Sequence, residues 1–176
     1  MAEFEQPIPA GAQIKIQGNE ITAAGKLGEL KRKFALAGVK IEVTDKLVRV
    51  SMEKPTVKQK ACLGSIAAHI KNMAFGVANG HTYEMKAVYK HFPINVSIEG
   101  GKVMIKNFCG EKKPRAAKIV GKSTKVELKG EKITITSPSI EEAGQTAGNI
   151  EQATRIRGRD IRIFQDGIFI TKKAMC

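Results

Sequence analysis

The stretch VKIEVTDKLVRVS, Val39 to Ser51, decides how the chain is read. At a fixed offset of 85 positions, Thr124 to Thr136 reads TKVELKGEKITIT, and a lysine, a glutamate and the alternating aliphatics coincide. Alternation of apolar and polar side chains marks a half-buried strand, because successive side chains point to opposite faces. Each stretch therefore predicts two strands around a turn, Thr44-Asp45-Lys46 in one and Lys129-Gly130-Glu131 in the other. The likeness extends both ways. Upstream, IKIQGNEIT from Ile14 matches INVSIEGGKVMI from Ile94, a second hairpin with glycine in its turn. Downstream, GSIAAHI from Gly64 lies over GQTAGNI from Gly144 at an offset of 80, so the strand-to-helix linker is shorter in the second half.

Both downstream segments predict helices. In the first, Pro55 suits an opening turn, and Leu63, Ile66, Ala67, Ile70 and Met73 share one face at the 3-4 spacing, with Gly76 and Gly80 ending it. In the second, Ser139 and Glu142 form a capping-box pattern, two glutamates occupy the positive first turn, and Ala143, Ala147 and Ile150 share a face. Each half reads strand, strand, strand, strand, helix. The expected fold is α+β: two tandem duplicated domains, 1–80 and 81–176, each a small antiparallel sheet with a helix packed on one face.

Composition bounds the function. The 176 residues are 42% hydrophobic, enough for a core, and Lys plus Arg number 30 against 17 acids, a formal charge of +13. A balance that basic implies an anionic partner. No apolar run approaches the ~18 residues that span a bilayer, and no signal peptide opens the chain. Cys62, Cys109 and Cys176 form no Cys-x-x-Cys pair and read as small apolar residues of a reducing compartment.

The charge is clustered. Lys31-Arg32-Lys33 is one run. Lys54 to Lys71 holds four lysines and no acid, and Lys102 to Lys125 holds eight basic residues and one acid, Glu111. Within the latter, NFCGEKKPRAAK from Asn107 has little periodicity and reads as a loop, mobile until an anionic partner neutralises it. Near the C-terminus, four arginines fall between Arg155 and Arg162, followed by Asp166-Gly167 among alternating apolar residues. That pattern predicts a hairpin with Ile161, Ile163, Ile168 and Ile170 turned to the core. If the preceding segment is extended, Arg155, Arg157 and Arg159 share one side. Arginine's planar fork matches phosphate.

Catalysis has little support. His69, His81 and His91 have no nucleophile or carboxylate grouping, and no Walker loop or dinucleotide fingerprint is present. Gly25-Lys26-Leu27-Gly28 matches the loop of KH domains, but a strand precedes it where that loop joins two helices. Aromatic platforms for single strands are scarce, so a structured RNA held by phosphates and shape fits better.

The C-terminal block Gln152, Ile156, Arg159, Arg162, Phe164, Asp166-Gly167-Ile168-Phe169-Ile170 and Lys173 resembles the signature of the large-subunit ribosomal protein six family, in its archaeal and eukaryotic form, called protein nine in eukaryotes. YKHFPINVSI from Tyr89, NFCGEKKPRAAKI from Asn107 and NMAFGVANG from Asn72 resemble the same family. The resemblance implies two duplicated domains on large-subunit rRNA, with the second near the sarcin-ricin loop and the stalk base. The partners implied are rRNA, neighbouring ribosomal proteins of the stalk base and, transiently, translation factors. The setting implied is the cytoplasmic ribosome, with no membrane, small-molecule substrate, cofactor or metal. The expected RNA-binding residues are Lys54, Lys58, Lys71, Asn72, His91, Lys106, Lys112, Lys113, Arg115, Lys118, Arg155, Arg157, Arg159, Arg162, Lys172 and Lys173. The rival readings are a free-standing double-stranded RNA-binding chaperone or regulator, and a basic nuclease.

Overall fold

The computed structural model describes residues 2–34, 38–44, 47–90 and 92–174. The chain divides into two compact units at Gly80/His81.

The first unit runs β1 Ala2–Pro7, β2 Gln13–Gln17, β3 Glu20–Gly25, β4 Gly28–Lys33, β5 Lys40–Val43, β6 Leu47–Met52 and α1 Val57–Asn79. Its strands form two antiparallel sheets, ordered β1-β6-β5 and β2-β3-β4. The second runs β7 His81–Val88, β8 Asn95–Glu99, β9 Lys102–Lys106, β10 Arg115–Lys118, β11 Lys125–Lys129, β12 Lys132–Ser137, α2 Ile140–Ala153 and β13 Gly167–Lys172. Its sheets are ordered β10-β9-β8 and β11-β12-β7-β13. The strand orders repeat: β7-β12-β11 answers β1-β6-β5, and β8-β9-β10 answers β2-β3-β4, with β13 added beside β7. Duplication therefore shows in the topology as well as in the 85-residue offset between β5-β6 and β11-β12.

The α+β class and the tandem repeat are as the sequence reads. The count of one sheet per unit is short by one. Each predicted hairpin forms a sheet of its own by taking a further strand absent from the four-strand reading, β1 or β7 beside β6 or β12 and β4 or β10 beside β3 or β9. In β4, GELKRK, Leu30 is the sole aliphatic, so the strand looks like a charge run. In β10, RAAK, the two alanines are adjacent and show no apolar alternation, and only Ala117 is buried. Gly25 to Gly28 is the β3–β4 turn, with those two glycines paired across it. Gly25 is needed for close approach, since a Cβ there would lie 2.6 Å from the Val77 carbonyl oxygen of α1.

Each helix covers sheets with its apolar stripe. On α1, Leu63, Ile66, Ala67, Ile70 and Met73 are all buried, as the 3-4 spacing requires. Thr56 caps it reciprocally with Gln59. Gly76 does not end the helix. It lies buried inside it, and Gly80, at φ +79, is the cap, its amide bonded to the Gly76 carbonyl. On α2, Ala143, Thr146, Ala147 and Ile150 are buried. Ser139 caps α2 by accepting from the Glu142 amide, but the reciprocal half of the box is replaced: the Ser139 amide donates to Ser137 Oγ at 3.2 Å.

The second unit's core joins Met85 and Ala87 of β7, Ile133 and Ile135 of β12, Val103 and Ile105 of β9, Ile168 of β13 and the α2 stripe. Phe108 belongs to it, 1% exposed. This corrects the reading of Asn107 to Lys118 as a loop. Phe108–Gly110 is a 3-10 turn pinned by Phe108, and Arg115–Lys118 is a strand paired with β9.

The C-terminal hairpin is also corrected. Gly167–Lys172 is a strand, but its partner is β7. Residues 155–166 carry no strand. The Asp160 carboxylate accepts from the Arg162 amide at 2.9 Å, and the Asp160 carbonyl accepts from the amides of Ile163 and Phe164. Those bonds wind the chain into a turn where alternation had suggested an incoming strand. Ile161 and Ile163 are consequently 69% and 70% exposed rather than in the core. Asp166 is itself buried, its carboxylate accepting from the Lys90 amide at 3.1 Å.

Candidate nucleic-acid interface

The C-terminal arginines hang on a brace built by Arg115. From β10, its Nη1 donates to the carbonyls of Ala153, at 2.9 Å, and Arg155, at 3.1 Å. Its Nε donates to the Glu111 carboxylate at 2.8 Å, and its Nη2 donates to the same group. The guanidinium also lies 4.3 Å from the centroid of buried Phe108. Held this way, Arg115 fixes where the chain leaves α2. Its hydrogen bonds hold the Glu111 carboxyl below the usual carboxylate range and raise the Arg115 guanidinium.

Around that brace, Lys112 and Lys113 are exposed in the bend before β10, and Arg155 and Arg157 are exposed after α2. Arg115, Arg155 and Arg157 share one shallow pocket. Gly158, at φ +69, turns the chain, so Arg159 does not continue the side of Arg155 and Arg157 that an extended segment would give. Instead its guanidinium lies 4.9 Å from the Phe164 centroid and lines a different pocket with Lys90 and Asp166. Arg162 is exposed and grips Asp160 with two nitrogens, which lowers the Asp160 carboxyl and raises the guanidinium.

The remaining expected residues are spread wider. Lys106, on β9, pairs with Glu99 at 3.2 Å. Lys118 is exposed on β10, and its carbonyl accepts from Asn149 at 2.9 Å. Lys172, on β13, lies 3.6 Å from Glu84, and Lys173 follows it, exposed. In the first unit, Lys54 is exposed in the turn before α1 at φ +48, Lys58 is exposed in its first turn, and Lys71 and Asn72 are half-buried further along. His91 lies outside the described residues. The structure thus gathers Lys112, Lys113, Arg155 and Arg157 about Arg115, with Arg159 and Arg162 further along the same segment.

Sequence reasoning missed the apolar cleft beside these arginines, lined by Val88, Ile161, Phe164 and Phe169. The signal available was Asp160 two positions before Arg162, an Asx-turn pattern that would have taken the isoleucines out of a strand. Elsewhere, burial and the nearby Asp166 carboxylate push the Cys109 thiol up. Among the described residues, no group of three or more His, Cys, Asp or Glu side chains is placed to hold a metal ion, and no helix is long and apolar enough to cross a membrane.

The family model of ribosomal protein L6 matches residues 8–80 and again 92–167, once per unit. The chain belongs to the ribosomal protein L6 family. Curated relatives agree over almost the whole length. A protein of Methanocella arvoryzae named large ribosomal subunit protein uL6 is 47% identical over 97% of this chain and 96% of its own. Its namesake in Methanosphaera stadtmanae is 49% identical over 95% of this chain and 91% of its own. That of Archaeoglobus fulgidus is 48% identical over 94% and 87%. The two L6 matches fall on the two sheet-and-helix units, and the second ends at Gly167, the first residue of β13.

Proposed function

We propose that this protein is a structural constituent of the large ribosomal subunit that binds rRNA through phosphate and shape contacts, without catalysis. The observation that carries the reading is the full-length match, on both units, to relatives named large ribosomal subunit protein uL6. The geometry supports a binding end in the second unit. Backbone carbonyls already bind Arg115, so the chain bearing Arg155 and Arg157 is preorganised and its guanidinium groups face solvent. Preorganisation lowers the ordering cost of binding, and arginine's fork suits phosphate. Lys112, Lys113, Arg159, Arg162, Lys106, Lys118, Lys172 and Lys173 extend this cationic field, and Lys54, Lys58, Lys71 and Asn72 give the first unit its own contact.

Within the subunit, the second unit sits near the sarcin-ricin loop and the stalk base, beside neighbouring ribosomal proteins and transient translation factors, in the cytoplasm. Arg115 acts by positioning rather than by touching RNA. Sedimentation from cells tests the reading. The protein is expected to travel with large subunits and to stay with them through a high-salt wash. Recovery in the free fraction would point instead to a free-standing RNA chaperone or regulator.

A further inference from the structure

A contact made only with phosphates has no use for apolar side chains, yet the arginine segment exposes several. Phe169 is 44% exposed, and with Val88, Ile161 and Phe164 it lines an open cleft of about 800 Å³. We propose that this cleft receives one unpaired nucleotide of the bound RNA, with its base against Phe169 and Phe164 and its phosphate on Arg155. The inference rests on the reading of this segment as rRNA-binding.

The aromatic wall is built rather than incidental. A Cβ on Gly167 would stand 2.8 Å from Cζ of Phe169, and Gly167 is not in the left-handed region. The ring thus lies folded back over the Gly167 backbone, where the absent side chain leaves it room. Phe164 lines both the cleft and the smaller pocket that holds Arg159. The Arg159 guanidinium lies 4.9 Å from the centroid of that ring. The chain holds only seven phenylalanines, and two meet here.

The charge is complementary to a nucleotide. Arg155 lines both the cleft and the shallow pocket shared with Arg157, so a cation stands where base site and phosphate site meet. The acids at the cleft are Glu151, half-buried, and Asp166, whose carboxylate is already bonded to the Lys90 amide. Aromatic faces beside an arginine are how proteins hold splayed-out bases. An acidic peptide would use the arginines but has no need of two rings, and a continuous duplex would keep its bases from them.

The test uses the full chain with labelled isoleucine methyl groups and phenylalanine rings, followed by NMR. Three probes are titrated: tetra-adenylate, inorganic tripolyphosphate and a hexaglutamate peptide. Tetra-adenylate is expected to move the Ile161 methyl and Phe169 ring signals upfield. Tripolyphosphate and hexaglutamate are expected to leave both in place. Phe169→Leu, which keeps an apolar side chain but removes the ring, is expected to weaken tetra-adenylate about 10-fold, on the scale of one base–aromatic stack. It is also expected to weaken large-subunit rRNA binding without changing its salt dependence. Ile161→Ser, at an exposed position that folding does not use, is expected to act in the same direction. Unmoved Ile161 and Phe169 signals, or a Phe169→Leu variant that binds as wild type while Arg155→Ala weakens rRNA, would overturn the nucleotide site and leave the rRNA reading standing. Shifts produced by hexaglutamate alone would assign the cleft to a protein segment and overturn the proposal. Arg155→Ala binding rRNA as wild type would bring down the underlying reading with it.

Discussion

Replacing Arg115 with alanine separates a brace from a free phosphate ligand. The magnitude follows from its contacts. Two backbone carbonyls share Nη1 at 2.9 and 3.1 Å, and together they count as about one charged hydrogen bond, ~1.5–3 kcal/mol. The Glu111 bridge contributes less, because that side chain is 40% exposed and re-solvates when abandoned, which puts it below ~1 kcal/mol. Stacking on Phe108 adds ~0.5–1 kcal/mol. The sum is about 3 kcal/mol, confined to the second unit. Urea unfolding followed at the methyl signals of Ile133 and Ile168, both in that unit's core, measures it without assuming that the two units unfold together. Arg115→Lys keeps the charge but not the fork, and is expected to fall between wild type and alanine. An Arg115→Ala midpoint equal to wild type would refute the brace and return Arg115 to the set of free cations.

Other outcomes follow from the same geometry. Ile168→Ala, at a fully buried position, is expected to lose ~2–5 kcal/mol, whereas Ile161→Ala and Ile163→Ala, both about 70% exposed, stay within ~0.5 kcal/mol of wild type in the same melts. Because Arg115 holds the Glu111 carboxyl low, the stability this pair contributes is present above the ordinary glutamate range and is lost as pH falls through the lowered value. Glu111→Gln is expected to flatten that part of the stability-against-pH curve, and an unchanged acid limb would contradict the pairing. Hydrogen exchange on the free protein is expected to show protected amides in β10, paired with β9, and fast exchange at Lys112 and Lys113. Fast exchange throughout 107–118 would restore the reading of a wholly mobile loop.

Much of the fold was legible because its signals are local and periodic. The β5-β6 and β11-β12 pairs alternate in β-branched and aliphatic residues, and their shared offset exposed the duplication. Both helices announce themselves by spacing and caps. Strands whose apolar residues are few or small were illegible: Leu30 alone in β4, and alanines in β10. The C-terminal segment failed for a different reason. Ile161, Ile163 and Asp166-Gly167 satisfy every rule for a hairpin, but the Asp160 side chain captures the backbone of Arg162 and Gly167 serves as a seat for Phe169. Side chain–backbone competition of that kind leaves no trace in periodicity. Among the expected site residues, charge alone marked Arg115 and Arg155 alike. Only the contacts distinguish the one that is held from the one that is offered.

The arginines between α2 and β13 carry the account, and filter binding of the Arg155→Ala/Arg157→Ala/Arg159→Ala variant to large-subunit rRNA over a range of salt concentrations tests it most directly. Each lost charge-assisted phosphate contact weakens binding by roughly a factor of ten or more. The triple variant is therefore expected to bind about 100-fold more weakly after discounting for coupling, with a shallower dependence of log affinity on log salt. Its second-unit melt is expected to stay near wild type apart from the lost stacking of Arg159 on Phe164. Wild-type affinity and an unchanged salt slope in a folded triple variant would contradict the claim that this segment binds RNA.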